Sequence, residues 1–127
     1  MSIENYTSST SFWVWSVFVI KYVYTIISLI GVSYLIKTLN VNEIKDIFST
    51  NNIQLFRKSG KFFHYAASVG SLRILIRYIN GNSGSLKLSN DFITLLYFLL
   101  LTGFFFMAFS KVLEFANDIQ KENDLTI

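Results

Sequence analysis

From Phe92 to Ser110 the chain reads FITLLYFLLLTGFFFMAFS, without one charged side chain. At about 1.5 Å per residue, a helix of that length reaches the thickness of a bilayer's hydrocarbon core, about 30 Å. Its Phe, Leu and Ile residues fall on every face, so a soluble chain of 127 residues would have to enclose it on all sides. A bilayer supplies that environment directly. Composition agrees: 15% of residues are charged, against about 25% in an ordinary soluble domain.

Once the membrane segments are subtracted, too little chain remains for a separate soluble core, so a single membrane domain is expected over residues 1–127. The sequence has no cysteine, which excludes disulfides, thiol catalysis and cysteine-based metal sites. It has no proline either, so straight helices are expected, since nothing removes a backbone donor inside them.

The fold expected is an all-α integral membrane bundle of three transmembrane helices, with an amphipathic cytoplasmic loop helix and a C-terminal tail. The first span, 12–36, is interrupted only by Lys21, and Trp13, Trp15, Tyr22 and Tyr24 suit an aromatic belt in its first half. The opening MSIENYTSST lacks the cationic region of a signal peptide, so this span is expected to remain uncleaved. Asn40 followed by Glu43 resembles a capping box, opening a short helix with Val41, Ile44, Ile47 and Phe48 on its apolar side. Ser49 can cap the next helix, in which Ile53, Phe56, Gly60 and Phe63 recur at helical spacing. Its membrane part, 62–79, holds His64, Arg73 and Arg77 and is the least apolar of the three spans. Residues 80–90 form a turn-rich loop, with Ser89 or Asn90 placed to cap the third span, 92–110. Beyond it Val112, Phe115, Ala116 and Ile119 form the apolar side of a tail helix expected to fray near Lys121.

Cations set the expected orientation. Lys37, Lys45, Arg57, Lys58 and Lys61 lie between the first two spans, while the N-terminal segment has none and the 80–90 loop only Lys87. Loop 37–61 and tail 111–127 are therefore expected in the cytoplasm and the N-terminus outside. The net charge of +3 is mostly this orientation signal, and direct nucleic-acid binding is not expected because the cations are not massed on one soluble face.

Two segments, FSTNNIQLFRKSG at 48–60 and EFANDIQKENDLTI at 114–127, resemble the DUF2975 family of uncharacterised bacterial membrane proteins. The tail match, Glu122, Asn123, Asp124, Leu125, Thr126 and Ile127, is the more specific; in the first segment Asn51 stands where the family favours Glu, and Ser59 where it favours an apolar residue. The resemblance covers roughly residues 20–127. Relatives are typically longer, with a further N-terminal span and an extracytoplasmic stretch, so three spans are expected here instead of four. The resemblance implies a bacterial inner-membrane protein, a regulatory role and partnership with a helix-turn-helix regulator. It supplies no catalytic residue.

Lys21, His64, Arg73, Arg77 and Asp91 are the candidate intramembrane polar residues, because charge within a span is costly and faces either a partner or the interface. Lys21 shares a face with Thr25 and Ser28, and Arg77 is expected to pair with Asp91 across the 80–90 loop. Arg57, Lys58, Lys61, Glu114, Asp118, Glu122, Asn123 and Asp124 are the candidate contacts to a partner or to lipid. A lone histidine without further ligands makes no metal site, and no cofactor motif or reactive constellation is present, so no enzymatic activity is expected. The function expected is protein contact, anchoring or regulating a cytoplasmic DNA-binding regulator. The alternative is a subunit of a small transporter or pore, which would need a homo-oligomer because three helices enclose little space.

Overall fold

In the computed structural model of the protein, residues 3–40, 44–79 and 90–126 are described. Three long helices, α1 (Ile3–Thr38), α3 (Thr50–Ile79) and α4 (Asn90–Leu125), make up the fold, with the single turn α2 (Ile44–Ile47) between α1 and α3. Of the expected capping box, Val41 to Glu43 lie outside the described residues, as do 80–89 with Lys87 and Ser89. Ile47 and Phe48 are half-buried.

Helix α3 is the centre of the fold. Ser59 Oγ donates to the carbonyl of Gly31 on α1 at 2.9 Å, Lys58 lies over Tyr34, and Val69 packs further along against the cluster that holds Tyr24, so α3 runs antiparallel to α1. Gly60 meets Gly103 and Met107 on α4, while Gly70 meets Phe92 and Leu96, so α4 is antiparallel to α3 as well. Helices α1 and α4 thus flank α3 in parallel and touch at the Tyr24–Phe92 edge contact, with ring centroids 5.9 Å apart. Phe63, 5% exposed, joins all three through Ile27 and Leu35 on one side and Leu99 and Phe106 on the other.

Small residues make this packing possible. The buried face of α3 includes Ser59, Gly60, Ala66, Ala67 and Gly70, which let neighbouring backbones approach closely, and α4 offers Gly103 and Ser110 in return.

Two helices, Ser11–Thr38 of α1 and all of α4, are long and apolar enough to cross a membrane. Only 11% and 22% of their apolar windows are buried inside the protein. The core helix of a soluble protein would be mostly covered; here Trp15, Leu29, Leu101 and Phe104 all lie open. Apolar side chains on the outside of a bundle are what a lipid surround accepts. Trp15 and Tyr22 are exposed as an aromatic belt would be, but Tyr24 is buried against Phe92, because its face of α1 is the one that meets the other two helices.

Helix α4 also runs further than expected, to Leu125 and not merely to Lys121. Thr126 closes it: its hydroxyl donates to the carbonyls of Asn123 at 2.9 Å and Glu122 at 3.2 Å, and its N–H to Asn123 at 3.2 Å. Those carbonyls would otherwise lack an intrahelical partner.

Candidate functional site

The first turns of α3 and the last turns of α4 form a hairpin of two helices beyond the apolar runs. Ser49 caps α3, accepting from the Asn52 N–H at 3.2 Å, which leaves the helix start defined about two turns before the cations. Asn52, Ile53, Ser110 and Leu113 are buried between the two helices, and Phe56 stacks on Phe106 and meets the edge of Phe109 at 5.2 Å. Arg57 Nη2 donates to Glu114 Oε2 at 2.6 Å, the one ion pair among the described residues.

The two segments that carry the family resemblance thus meet here. Ser49, Asn52, Arg57 and Gly60 from the first, and Glu114 and Thr126 from the second, all have structural work in the hairpin.

Both partners of the ion pair are substantially exposed, which limits its worth to about 0.2–1 kcal/mol. Reversing either charge alone, Arg57→Glu or Glu114→Arg, is expected to lower the detergent thermal midpoint slightly, and the double reversal to recover most of it. A double variant no better than the worse single one would show that the contact contributes nothing.

The side of α4 that meets α3 here is not the apolar stripe of the tail. Leu113 is inward, whereas Val112, Phe115 and Ile119 are exposed. The reason is continuity: one unbroken helix carries Leu96, Leu99, Gly103, Ser110 and Leu113 inward at intervals of one or two turns, and the stripe of Val112, Phe115 and Ile119 turns away. Asp118, Glu122, Asn123 and Asp124 are exposed beside that stripe, and Lys58 and Lys61 are exposed on α3.

The intramembrane polar residues do not converge. Lys21 is exposed, and the hydroxyls of Thr25 and Ser28 donate to the carbonyls of Lys21 and Tyr24, so these two hydroxyls of the expected polar strip are engaged within their own helix. His64 sits at the α3–α4 crossing with its ring 4.3 Å from that of Phe104, and its Nε2 is buried without a hydrogen-bond partner. Arg73 lies over the Phe92 ring at 4.7 Å, a cation–π contact worth about 0.5–2 kcal/mol.

Arg77 and Asp91 form no ion pair, contrary to expectation. The register explains it. With Gly60 at Gly103 and Arg73 at Phe92, the next turn of α3 lies beyond the first turn of α4 and out of line with Asp91. Among the described residues no three His, Asp or Glu side chains gather as a metal's ligands would.

A second polar group was not expected from the sequence. At the end where α1 finishes, the Nζ atoms of Lys37 and Lys58 lie 5.1 and 5.9 Å from the centre of the Tyr34 ring, itself stacked on Phe62. The one-turn spacing of Tyr34 and Lys37 is visible in the sequence, but Lys58 joins them only through the α1–α3 register.

A bundle with apolar flanks, built from the two segments that resemble one family, invites comparison with known proteins. No curated protein and no solved structure matches it. A family profile described as "Protein of unknown function (DUF2975)" matches residues 3–127, which extends the expected 20–127 to essentially the whole chain. The protein belongs to the DUF2975 family.

Proposed function

We propose that the protein crosses the membrane three times and acts by protein contact, with residues 38–61 and 111–127 in the cytoplasm. The register supports α3 as the middle span: Phe63 lies level with Gly31, Leu99 and Phe106, so where the two apolar flanks cross the bilayer, the helix between them crosses with them. The cations at Lys37, Arg57, Lys58 and Lys61 then collect on one side, the pattern of a cytoplasmic end.

The observation that carries the contact role is the exposed stripe Val112, Phe115 and Ile119 on the helical extension of α4, flanked by Asp118, Glu122 and Asp124. An apolar strip edged by acids fits a basic cytoplasmic protein, and a small helix-turn-helix DNA-binding regulator has that chemistry. A role without catalysis is part of this reading. A transporter or pore would need its polar groups along one path, whereas Lys21 is exposed on α1 and His64 and Arg73 rest against different rings of α4, Phe104 and Phe92.

The test co-expresses the protein with a small helix-turn-helix DNA-binding regulator and reads the regulator's share in the membrane fraction. Deleting residues 117–127, or combining Phe115→Ser with Ile119→Ser, is expected to leave insertion and helicity intact. Both changes should lower membrane retention of the regulator at least tenfold. A regulator held equally well by these variants would overturn the contact role.

A further inference from the structure

We propose that Tyr34, Lys37 and Lys58 form a binding site for a phosphate group, that of an anionic lipid, between the end of α1 and the start of α3. Two ammonium groups stand within 5.9 Å of one ring centre, although like charges repel, and neither has a carboxylate partner among the described residues. The nearest basic side chain along α3, Arg57, is already engaged with Glu114. An unneutralised pair of cations held by two different helices is an electrostatic demand for an anion.

The level of the site chooses the anion. Tyr34 and Lys37 close the apolar run of α1, and Lys58 lies about one turn before that of α3, so the group lies where hydrocarbon gives way to headgroups. Phe62, stacked on Tyr34, gives the site an apolar floor on the bilayer side, against which acyl chains can lie. A lipid phosphate fits this place better than a free one, because its chains fill the apolar side while its charge meets the two lysines.

This assignment rests on the membrane reading above, and its test separates the two. Protein in neutral detergent is titrated with phosphatidylglycerol or phosphatidylcholine, and bound lipid is counted by native mass spectrometry, a readout indifferent to orientation. Phosphatidylglycerol is expected to bind preferentially. The variant Lys37→Gln/Lys58→Gln should weaken that binding about tenfold or more, given about 1 kcal/mol per cation. The variant Lys111→Gln/Lys121→Gln, with the same change of net charge, should weaken it less than twofold.

Equal losses in the two variants, or no preference between the lipids, would overturn the site. Inorganic phosphate that displaces the lipid at low millimolar concentration would overturn the lipid and assign the site to the free anion. Orientation is read separately, by labelling Asn123→Cys with an impermeant thiol reagent in intact cells. Labelling there would refute the cytoplasmic placement while leaving the detergent result as it stands.

Discussion

Replacing Gly60 with valine is expected to separate α3 from α4 and to lower stability by about 1–3 kcal/mol, the cost of forcing extra atoms into a packed contact. A Cβ at Gly60 would lie 2.8 Å from the carbonyl oxygen of Gly103, 2.7 Å from Met107 Cγ and 3.1 Å from the Met107 nitrogen. The methionine side chain can turn away. The backbone of α4 can retreat only by giving up its contact with Phe63 and Ala67 as well.

The other glycines give the comparison its force. At Gly70 the nearest atom is the terminal methyl of Leu96, at 2.5 Å, which can rotate, so alanine there should cost less. At Gly31 a Cβ finds Phe62 and Phe63 at 3.4 Å, ordinary contact, and the gain in helix propensity, up to about 1 kcal/mol, should leave Gly31→Ala neutral or stabilising. Thermal midpoints in detergent, followed by helicity, should therefore fall in the order Gly31→Ala, Gly70→Ala, Gly60→Val. If Gly31→Ala and Gly60→Val behave alike, the close crossing at Gly60 and Gly103 does not exist.

Leu101→Arg should have an effect of similar size for an unrelated reason. Leu101 is 69% exposed in the middle of the α4 apolar run, and on a soluble protein such a change usually costs within about 0.5 kcal/mol. At the centre of a bilayer-spanning helix an arginine costs about 2.5–3.5 kcal/mol. Membrane insertion, read as the carbonate-resistant fraction, should drop sharply for Leu101→Arg and stay unchanged for Gln120→Arg on the exposed extension. Unchanged insertion of the Leu101 variant would mean that α4 does not face lipid.

The elements of the fold were legible wherever a single helix carries its own signal. The uncharged run 92–110 announces α4, Ser49 announces the start of α3, and the 3.6-residue recurrence of Ile53, Gly60 and Phe63 announces its inner face. What connects helices was not legible. Arg77 and Asp91 look close in sequence because a short loop separates them, whereas Arg57 and Glu114 are far apart and form the ion pair.

The deciding quantity is the register between α3 and α4, fixed by the approach of two glycines that hydropathy does not single out. The same ignorance of register hid the joint position of Lys37 and Lys58 around Tyr34, and it left open whether the stripe of Val112, Phe115 and Ile119 packs on α3 or faces outward, as it does.

The least apolar of the three long helices is the one in the middle, and it is synthesised between the other two. Taken alone, α3 gains little from entering lipid, since Ser59, His64, Ser68, Ser71 and Arg73 weaken its apolar stretch. Most of what favours its place in the bundle is supplied by neighbours: the carbonyl of Gly31 from α1, already made, and the aromatic wall of Phe92, Phe104 and Phe106 from α4, still to come. If all three helices cross the bilayer, their assembly would follow an order in time as well as in space. On the three-span reading proposed above, the central helix would pair with the first before the last emerges, and the apolar strength of α4 would complete the insertion of its predecessor as well as its own.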